Sequence, residues 1–493
     1  MKRWTTDIDK LVFTHVVLIG VPTLFCYCLR LSGSDLLNWH LAIATIYLLS
    51  SVITIVESTN ALFLRFATNE KRFIEGRVEQ FLQLFKVALG VSGAKRPQPR
   101  QPLPKCSFVV VAYLPNEQDI ILETLKHILV KVQRPPAGLE LILAYNTPVD
   151  LPIEDDLRLL AEFHPELRLL KVEGSRSKAE NLNAALEAVT GEITCILDAD
   201  HQPCPDCFVR AWRWLERDYD VVQGRNVIRN HPYNFLTETI AIEFESLYGV
   251  SHAAKSFLSD TSIFGGSNGY WRTTVLRRIR FNPTMLTEDI DASLRTLLSG
   301  YRILHDRSII ATELAPTDLS AFWFQRKRWA HGWLEVSLRY QLRVLQSRRF
   351  TLWQKIYWTY LLLTTASFTL VSLQILPIIL SSFLFQGTIA SANNTYLWFS
   401  TAITFLSGVY QALVTMKIAY IRYPLRYFFQ YSLFVFFYTV LKNIISVVAV
   451  YDYLHGHSEW VVTPRKRREF VSRPRQRSAA LASGSSRLTS TKS

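Results

Sequence analysis

Cysteine is scarce in this chain, six in 493 residues, and the six do not form a disulfide framework. Cys26 and Cys28 fall in an apolar stretch, and Cys106 and Cys195 fall on stretches that read as strands. Cys204-Pro205-Asp206-Cys207 has metal or redox spacing, but no second pair completes a zinc site. All six are read as reduced and structural. Acids are also in short supply, 41 against 55 Lys and Arg, for a net charge of +14. Residues 464–493 hold nine Lys or Arg and one Glu, so the tail supplies +8 and leaves +6 for everything else. That distribution excludes nucleic acid as the expected partner. The tail, with Ser, Ala and Gly between its charges, suits either anionic lipid headgroups or plain solvation. Charge is almost missing from 11–29 and 41–66, where Glu57 is the one acid, and three more long apolar blocks run over 358–385, 396–420 and 427–451. Stretches of that length and polarity call for a lipid bilayer.

Lys2, Arg3 and Lys10 precede the first apolar stretch, and Lys71, Arg72 and Arg77 follow the second. Basic flanks stay in the cytoplasm, which places the next domain there too. The first stretch is longer than a signal-peptide core and a second follows it closely, so it reads as an uncleaved anchor. Arg465, Lys466, Arg467 and Arg468 mark another cytoplasmic flank, which requires an even number of crossings, yet three apolar blocks precede it. One block must therefore lie along the interface, re-enter or split. The last is expected to do so, because Lys442 and Asn443 interrupt it. Asn393-Asn394-Thr395 is a glycosylation sequon between two of these blocks.

Between the membrane stretches the pattern changes. Residues 92–104, rich in Pro, Lys, Arg and Gln, read as a linker. Strands are predicted at 107–112, 139–144, 167–172 and 193–197, with helices at 119–130, 154–163 and 178–188 between them. That alternation predicts a mainly parallel α/β sheet with helices on both faces, and in such sheets ligands bind at the carboxyl ends of the strands.

Three motifs lie there. In Asp198-Ala199-Asp200-His201 the two acids follow the fourth strand two positions apart, so they point to one side and suit a divalent cation carrying a diphosphate. In Thr287-Glu288-Asp289, Asp289 is a carboxylate able to take a proton from an attacking hydroxyl. The same acids would also serve as a helix N-terminal cluster capped by Thr287. In Gln325-Arg326-Lys327-Arg328-Trp329, the first, fourth and fifth residues share one helix face, placing a phosphate-binding fork beside an aromatic platform. Lys178 sits at a predicted helix start, which favours phosphate, although a plain surface lysine fits as well. Gly265-Gly266-Ser267-Asn268-Gly269 lacks the lysine of a nucleotide P-loop.

In this order, between membrane segments, Asp-x-Asp, Thr-Glu-Asp and Gln-x-x-Arg-Trp resemble the processive membrane glycosyltransferases of family 2. That family includes cellulose synthase and its cellulose-synthase-like relatives, curdlan synthase and the poly-N-acetylglucosamine synthases. The resemblance covers residues 105–465 and implies an α/β GT-A (Rossmann-like) cytoplasmic domain embedded between transmembrane α-helices. The expected order is two spans in 1–70, a linker in 71–104, the GT-A domain in 105–316 and amphipathic interfacial helices bearing the third motif in 317–350. A membrane region follows in 351–452, then a gating-like segment and basic tail in 453–493.

The resemblance also implies roles. Tyr113, Glu117 and Asn146 contact the donor's base; Asn146 stands where many relatives have Asp, and Asp150 is a possible substitute. Lys178, Asp198, Gln325 and Arg328 hold the diphosphate, with Mg2+ or Mn2+ on Asp198 and Asp200. Glu288 and Asp289 are the catalytic acids, and Gly266, Ser267 and Trp329 meet the acceptor sugar. Thr463 and Arg465, in Trp460-Val461-Val462-Thr463-Pro464-Arg465, close over the nucleotide. The implied reaction is inverting, processive polymerisation of a nucleotide-sugar, with UDP-glucose the first choice, into a β-linked polysaccharide extruded through the chain's own membrane helices. N-acetylglucosamine and mannose stay open as the sugar, as do linkage and oligomeric state. The plasma (inner) membrane is the expected location, with the Golgi the alternative. Two other classes stand beside this reading. One is a non-processive transferase that loads a lipid or polyprenyl phosphate and lacks the third motif; the other is a membrane scaffold with a degenerate transferase domain.

Overall fold

A computed structural model describes residues 2–34, 36–66, 99–384 and 395–457. Thr463, Arg465, Asn393 and most of the 71–104 linker lie outside them.

The sheet begins with β1 (Cys106–Tyr113), whose Val109-Val110-Val111 run is buried on both faces. A strand covered on both faces has to be apolar throughout. β1 pairs in parallel with β2 (Leu139–Asn146) and β4 (Ile193–Asp198), and β2 pairs in parallel with β3 (Leu167–Lys171). These strands, and helices Ile121–Lys131, Ile153–Phe163 and Lys178–Ala188, fall within two residues of their predicted ends.

The other half departs from expectation. β5 (Gln202–Pro203), β6 (Val221–Ile228), β7 (Gly269–Arg272) and β8 (Ile303–Glu313) complete an eight-stranded sheet in the order β3-β2-β1-β4-β7-β6-β8-β5. β7 is antiparallel to β4 and β6, and β5 to β8, so the sheet is mixed rather than mainly parallel. β6 carries Gln223, Arg225 and Asn226, all buried, so it lacks the apolar run that betrays an interior strand. Hydrophobic cores cover both faces, with adjacent Tyr270 and Trp271 of β7 pointing into opposite ones, as the two-residue strand period requires.

Among the described residues, four helical stretches are long and apolar enough to cross a bilayer: Asp7–Leu31, Leu37–Phe63, Thr395–Ile418 and Phe437–Leu454. Helix Thr395–Ile418 pairs with helix Leu37–Phe66 through hydroxyls, Thr45 with Tyr396 at 2.7 Å and Thr59 with Tyr410 at 3.0 Å. The last apolar block is not split, one of the three departures expected of it. Leu425–Leu454 is one helix, because Lys442 is satisfied by Glu243 across 2.9 Å. The interrupted block is the 358–385 one, which forms helices Leu352–Leu373 and Ile375–Leu384 either side of Gln374. Residues 317–350 form one long helix, Leu319–Gln346, where several were expected; Asp318 caps it by accepting the Ala321 N–H at 2.8 Å.

Candidate active site

β4 ends on Asp198, and the turn after it presents Asp200 and His201. The Asp198 N–H donates to Ser267 Oγ at 3.1 Å. Asp200 is buried; its Oδ2 accepts the Leu314 N–H at 3.0 Å, and its Oδ1 lies 3.1 Å from His201 Nδ1. His201 Nε2 lies 2.6 Å from Glu313 Oε2. Burial alone would lower the pKa of this imidazole, but Glu313 and Asp200 on either side outweigh it and hold the ring up at about 10. His201 is therefore a cation that braces Asp200. Ligand-capable atoms of Asp198, Asp200 and His201 lie within 4.8 Å of one another. The carboxylate oxygens of Asp198 and Asp200 are the donors that suit a hard dication.

Ser177 caps helix Lys178–Ala188 by accepting the Glu180 N–H at 3.2 Å, which sets Lys178 at its first residue. Lys178 Nζ donates to the Gly266 carbonyl at 2.7 Å, pairs with Asp198 and lies 3.8 Å from Glu288. Burial opposes its charge, yet Asp198 and Glu288 raise its pKa above the ordinary value. Helix Glu288–Leu298 follows Thr287, which does not cap it: Thr287 Oγ1 is buried without a hydrogen-bond partner. The Thr287 cap is therefore absent, while Glu288 and Asp289 do stand in the first turn of the helix, as the alternative reading expected. Burial and adjacent Glu288 push Asp289 up to about 7, against the pull of Lys178, the Ile290 N–H and Arg328. Gly266, at φ +83°, has no room for a side chain, because a Cβ there would lie 2.9 Å from Asp289 Oδ2.

The long helix docks on the acid-bearing one at two points. Tyr340 Oη donates to Asp291 Oδ1 at 2.6 Å, and Gly332 is so close to Thr287 that a Cβ would lie 2.3 Å from its Cγ2. Gly332→Ala is expected to displace the motif helix and cut turnover about 10²-fold. Nucleoside diphosphate release by the purified variant checks this, and an unchanged rate would show that the contact does not set the site.

A cavity of about 160 Å³ collects the predicted residues Glu117, Lys178, Asp198, Asp200, Gly266, Ser267, Glu288, Asp289, Gln325, Arg328 and Trp329. Tyr113 and Asn146 do not line it. The Tyr113 N–H donates to Glu117 Oε2 at 2.7 Å, while Asn146 is occupied by Ser175 O at 3.0 Å and Asn181 Nδ2 at 2.7 Å. Sequence reasoning missed Asn226, Tyr248 and Glu313; Glu313 follows the apolar Ile309-Ile310-Ala311 run but sits in no motif. The wall carries six carboxylates, Glu117, Asp198, Asp200, Glu288, Asp289 and Glu313, against the two cations Lys178 and Arg328. An anionic diphosphate entering such a wall needs a cation beside it. Gln325 Oε1, Arg328 Nε, Thr287 Oγ1 and Asn226 Oδ1 are buried around this cavity without partners. These groups are free to meet water or a ligand in the cavity.

A second cavity, of about 310 Å³, shares Tyr248, Gly265, Thr287, Asp289 and Trp329 with the first. It continues past Trp333 to Tyr357, Trp358 and Leu361 of helix Leu352–Leu373. Asp289 and Trp329 thus stand where an acidic chamber meets an aromatic one. Gly266 and Ser267 line only the acidic chamber, where they hold Lys178 and Asp198.

Acids at the carboxyl end of β4, on a sheet whose parallel half joins a mixed half, define a GT-A glycosyltransferase fold. Residues 193–456 match the glycosyl transferase family group 2, and the chain belongs to that family. It is a glycosyltransferase. Among curated proteins it is similar to the poly-β-1,6-N-acetyl-D-glucosamine synthase of Staphylococcus epidermidis, 25% identical over 315 residues that cover 61% of this chain and 70% of the relative. The Staphylococcus aureus synthase of the same name is 27% identical over 252 residues, 50% of this chain and 59% of the relative. Among solved structures, a mannosyltransferase from Pyrobaculum calidifontis in complex with GDP-Man and Mn2+ superposes with a TM-score of 0.48 at 19% identity. That match covers 77% of this chain and 99% of the other.

Proposed function

We propose that this chain is a processive, inverting polysaccharide synthase whose catalytic domain faces the cytoplasm of a plasma membrane. The observation that carries the reading is the position of Asp289 and Trp329 on the wall shared by the acidic and the aromatic cavity. The acidic side takes the donor and the aromatic side the growing chain. Both curated relatives named above are poly-β-1,6-N-acetylglucosamine synthases and neither is a glucan synthase, so UDP-N-acetylglucosamine replaces UDP-glucose as the donor we propose.

Lys178, Gln325 and Arg328 bind the diphosphate, and the unpartnered Arg328 Nε, an N–H donor, supports that assignment. Asp198 and Asp200 would hold Mg2+ or Mn2+, which fits their oxygen donors and the acid-rich wall. When bound, the cation offsets the charge that develops on the leaving diphosphate. Asp289, with its proton affinity raised by Glu288, accepts the proton of the acceptor hydroxyl. The hydroxyl oxygen attacks the anomeric carbon as the bond to the diphosphate oxygen breaks, so an α-linked donor gives a β-linked product. Trp329 stacks on the acceptor sugar. Tyr113 and Glu117 remain the candidates for the base, and Thr463 and Arg465 for closure. Asn146, already bonded within the protein, is assigned no donor contact.

The test is label incorporation by the purified protein in nanodiscs with Mg2+ or Mn2+, offering UDP-N-acetylglucosamine, UDP-glucose and GDP-mannose separately. A long N-acetylglucosamine polymer is expected from the first alone. Label entering only lipid would replace this reading with that of a non-processive lipid glycosyltransferase.

A further inference from the structure

Arg326 lies inside the third motif but lines neither cavity, and it is almost fully buried at 8% side-chain exposure. Its guanidinium carbon sits 4.3 Å from the centre of the Trp329 ring, and also packs against Phe322 at 5.1 Å and Phe244 at 5.9 Å. Its Nη2 donates to Glu243 Oε2 at 2.6 Å. Glu243, near the end of helix Phe235–Phe244, also accepts from Tyr438 Oη at 2.6 Å and Lys442 Nζ at 2.9 Å. Both donors belong to helix Leu425–Leu454 and fall in the portion that is long and apolar enough to cross a bilayer, Phe437–Leu454. Burial would raise the pKa of Glu243, but Arg326 and Lys442 hold it down at about 2, so the acid stays charged at any working pH. A buried arginine paired with a carboxylate that is itself tied to helix Leu425–Leu454 has little freedom.

We propose that Arg326 is a positioning residue for Trp329. Anchored through Glu243 to Tyr438 and Lys442, it presses a planar cation against the indole and sets the angle at which that ring meets the acceptor sugar. The proposal rests on the reading of Trp329 as the acceptor platform. Its consequence is a division of labour. The metal-binding acids are set by the end of β4, while the acceptor platform takes its reference from helix Leu425–Leu454.

The experiment uses the full chain in nanodiscs with labelled UDP-N-acetylglucosamine. It reads label in polymer per UDP released, product length, donor KM and Tm. Arg326→Lys keeps the charge but loses the planar face. It is expected to shorten the product and lower incorporation per UDP about tenfold, with donor KM and Tm near the parent's. Glu243→Gln should move both readouts in the same direction. Lys327 pairs with Asp7 at 2.9 Å and Asp452 at 3.1 Å, clamping the same helix without touching Trp329, so Lys327→Gln controls for docking alone. Parent-like products from Arg326→Lys would overturn the proposal, as would equal shortening in Lys327→Gln or losses that track Tm. Trp329→Leu, which removes the aromatic face, separates the two readings. Parent-like products from it sink the acceptor platform and the proposal together, whereas shortened products beside a normal Arg326→Lys sink only the arginine's role.

Discussion

Asp289→Asn is expected to lower polymer synthesis by about 10³-fold while leaving the protein folded. Asn keeps an oxygen for the Ile290 N–H, which donates to Asp289 Oδ1 at 2.9 Å, and keeps the shape beside Gly266. What it loses is the ability to take a proton. The same carboxyl predicts a pH profile. Its pKa is pushed up to about 7, so the base is largely protonated below that value, and the parent's rate should rise about tenfold per pH unit before levelling above it. The stability sign runs the other way. An acid whose folded pKa lies above its unfolded one stabilises the fold at low pH, and that contribution is lost as pH rises from about 4 through about 7. At pH 8 the parent therefore bears a buried charge that Asn does not, and Asp289→Asn should melt at or above the parent's temperature. Rate profiles and melting curves of the two proteins check both points. A variant that is inactive because it is unfolded, or active at the parent's rate, would remove Asp289 from the role of base.

The second large effect is expected from the dication. Treatment with a chelator should abolish turnover, and Mg2+ or Mn2+ should restore it, because the six acids of the cavity leave an incoming diphosphate without enough positive charge. Asp200→Asn should cost about 10²-fold at a fixed metal concentration and raise the concentration needed for half-maximal rate, since a neutral amide is a poorer ligand for a hard cation. The amide oxygen can still accept the Leu314 N–H that Asp200 Oδ2 accepts at 3.0 Å, but the variant loses the carboxylate oxygen facing His201 Nδ1 at 3.1 Å, so its melting temperature is measured beside its rate. Metal titration of parent and variant decides it. Full activity in the chelator would end the assignment of Asp198 and Asp200 to a metal.

Legibility in the sequence followed local pattern. The four parallel strands were readable because an interior parallel strand must be an unbroken apolar run, and Val109-Val110-Val111 is one. β6 was not, because its interior polar residues find partners outside any local pattern: buried Arg225 pairs with buried Glu245, and Gln223 donates to Ser267 O at 2.9 Å. Lys442 was read as a break in an apolar block for the same reason, since its partner Glu243 lies 199 residues earlier.

The sequence by itself determined the chemistry available: two acids after β4, a Thr-Glu-Asp turn, an amide, a guanidinium and an indole on one helix face, and apolar stretches long enough to span lipid. Those properties depend on side-chain type and on the short periods of helix and strand. Tertiary structure alone decided how that chemistry is set. It made His201 a cation between Asp200 and Glu313, turned Thr287 toward a cavity, placed Asp289 between the acidic and aromatic chambers, and packed Arg326 against Trp329. Each of these is a matter of burial and of charge across space, between groups as far apart in the chain as Asp200 and Glu313, and no local pattern carries that information.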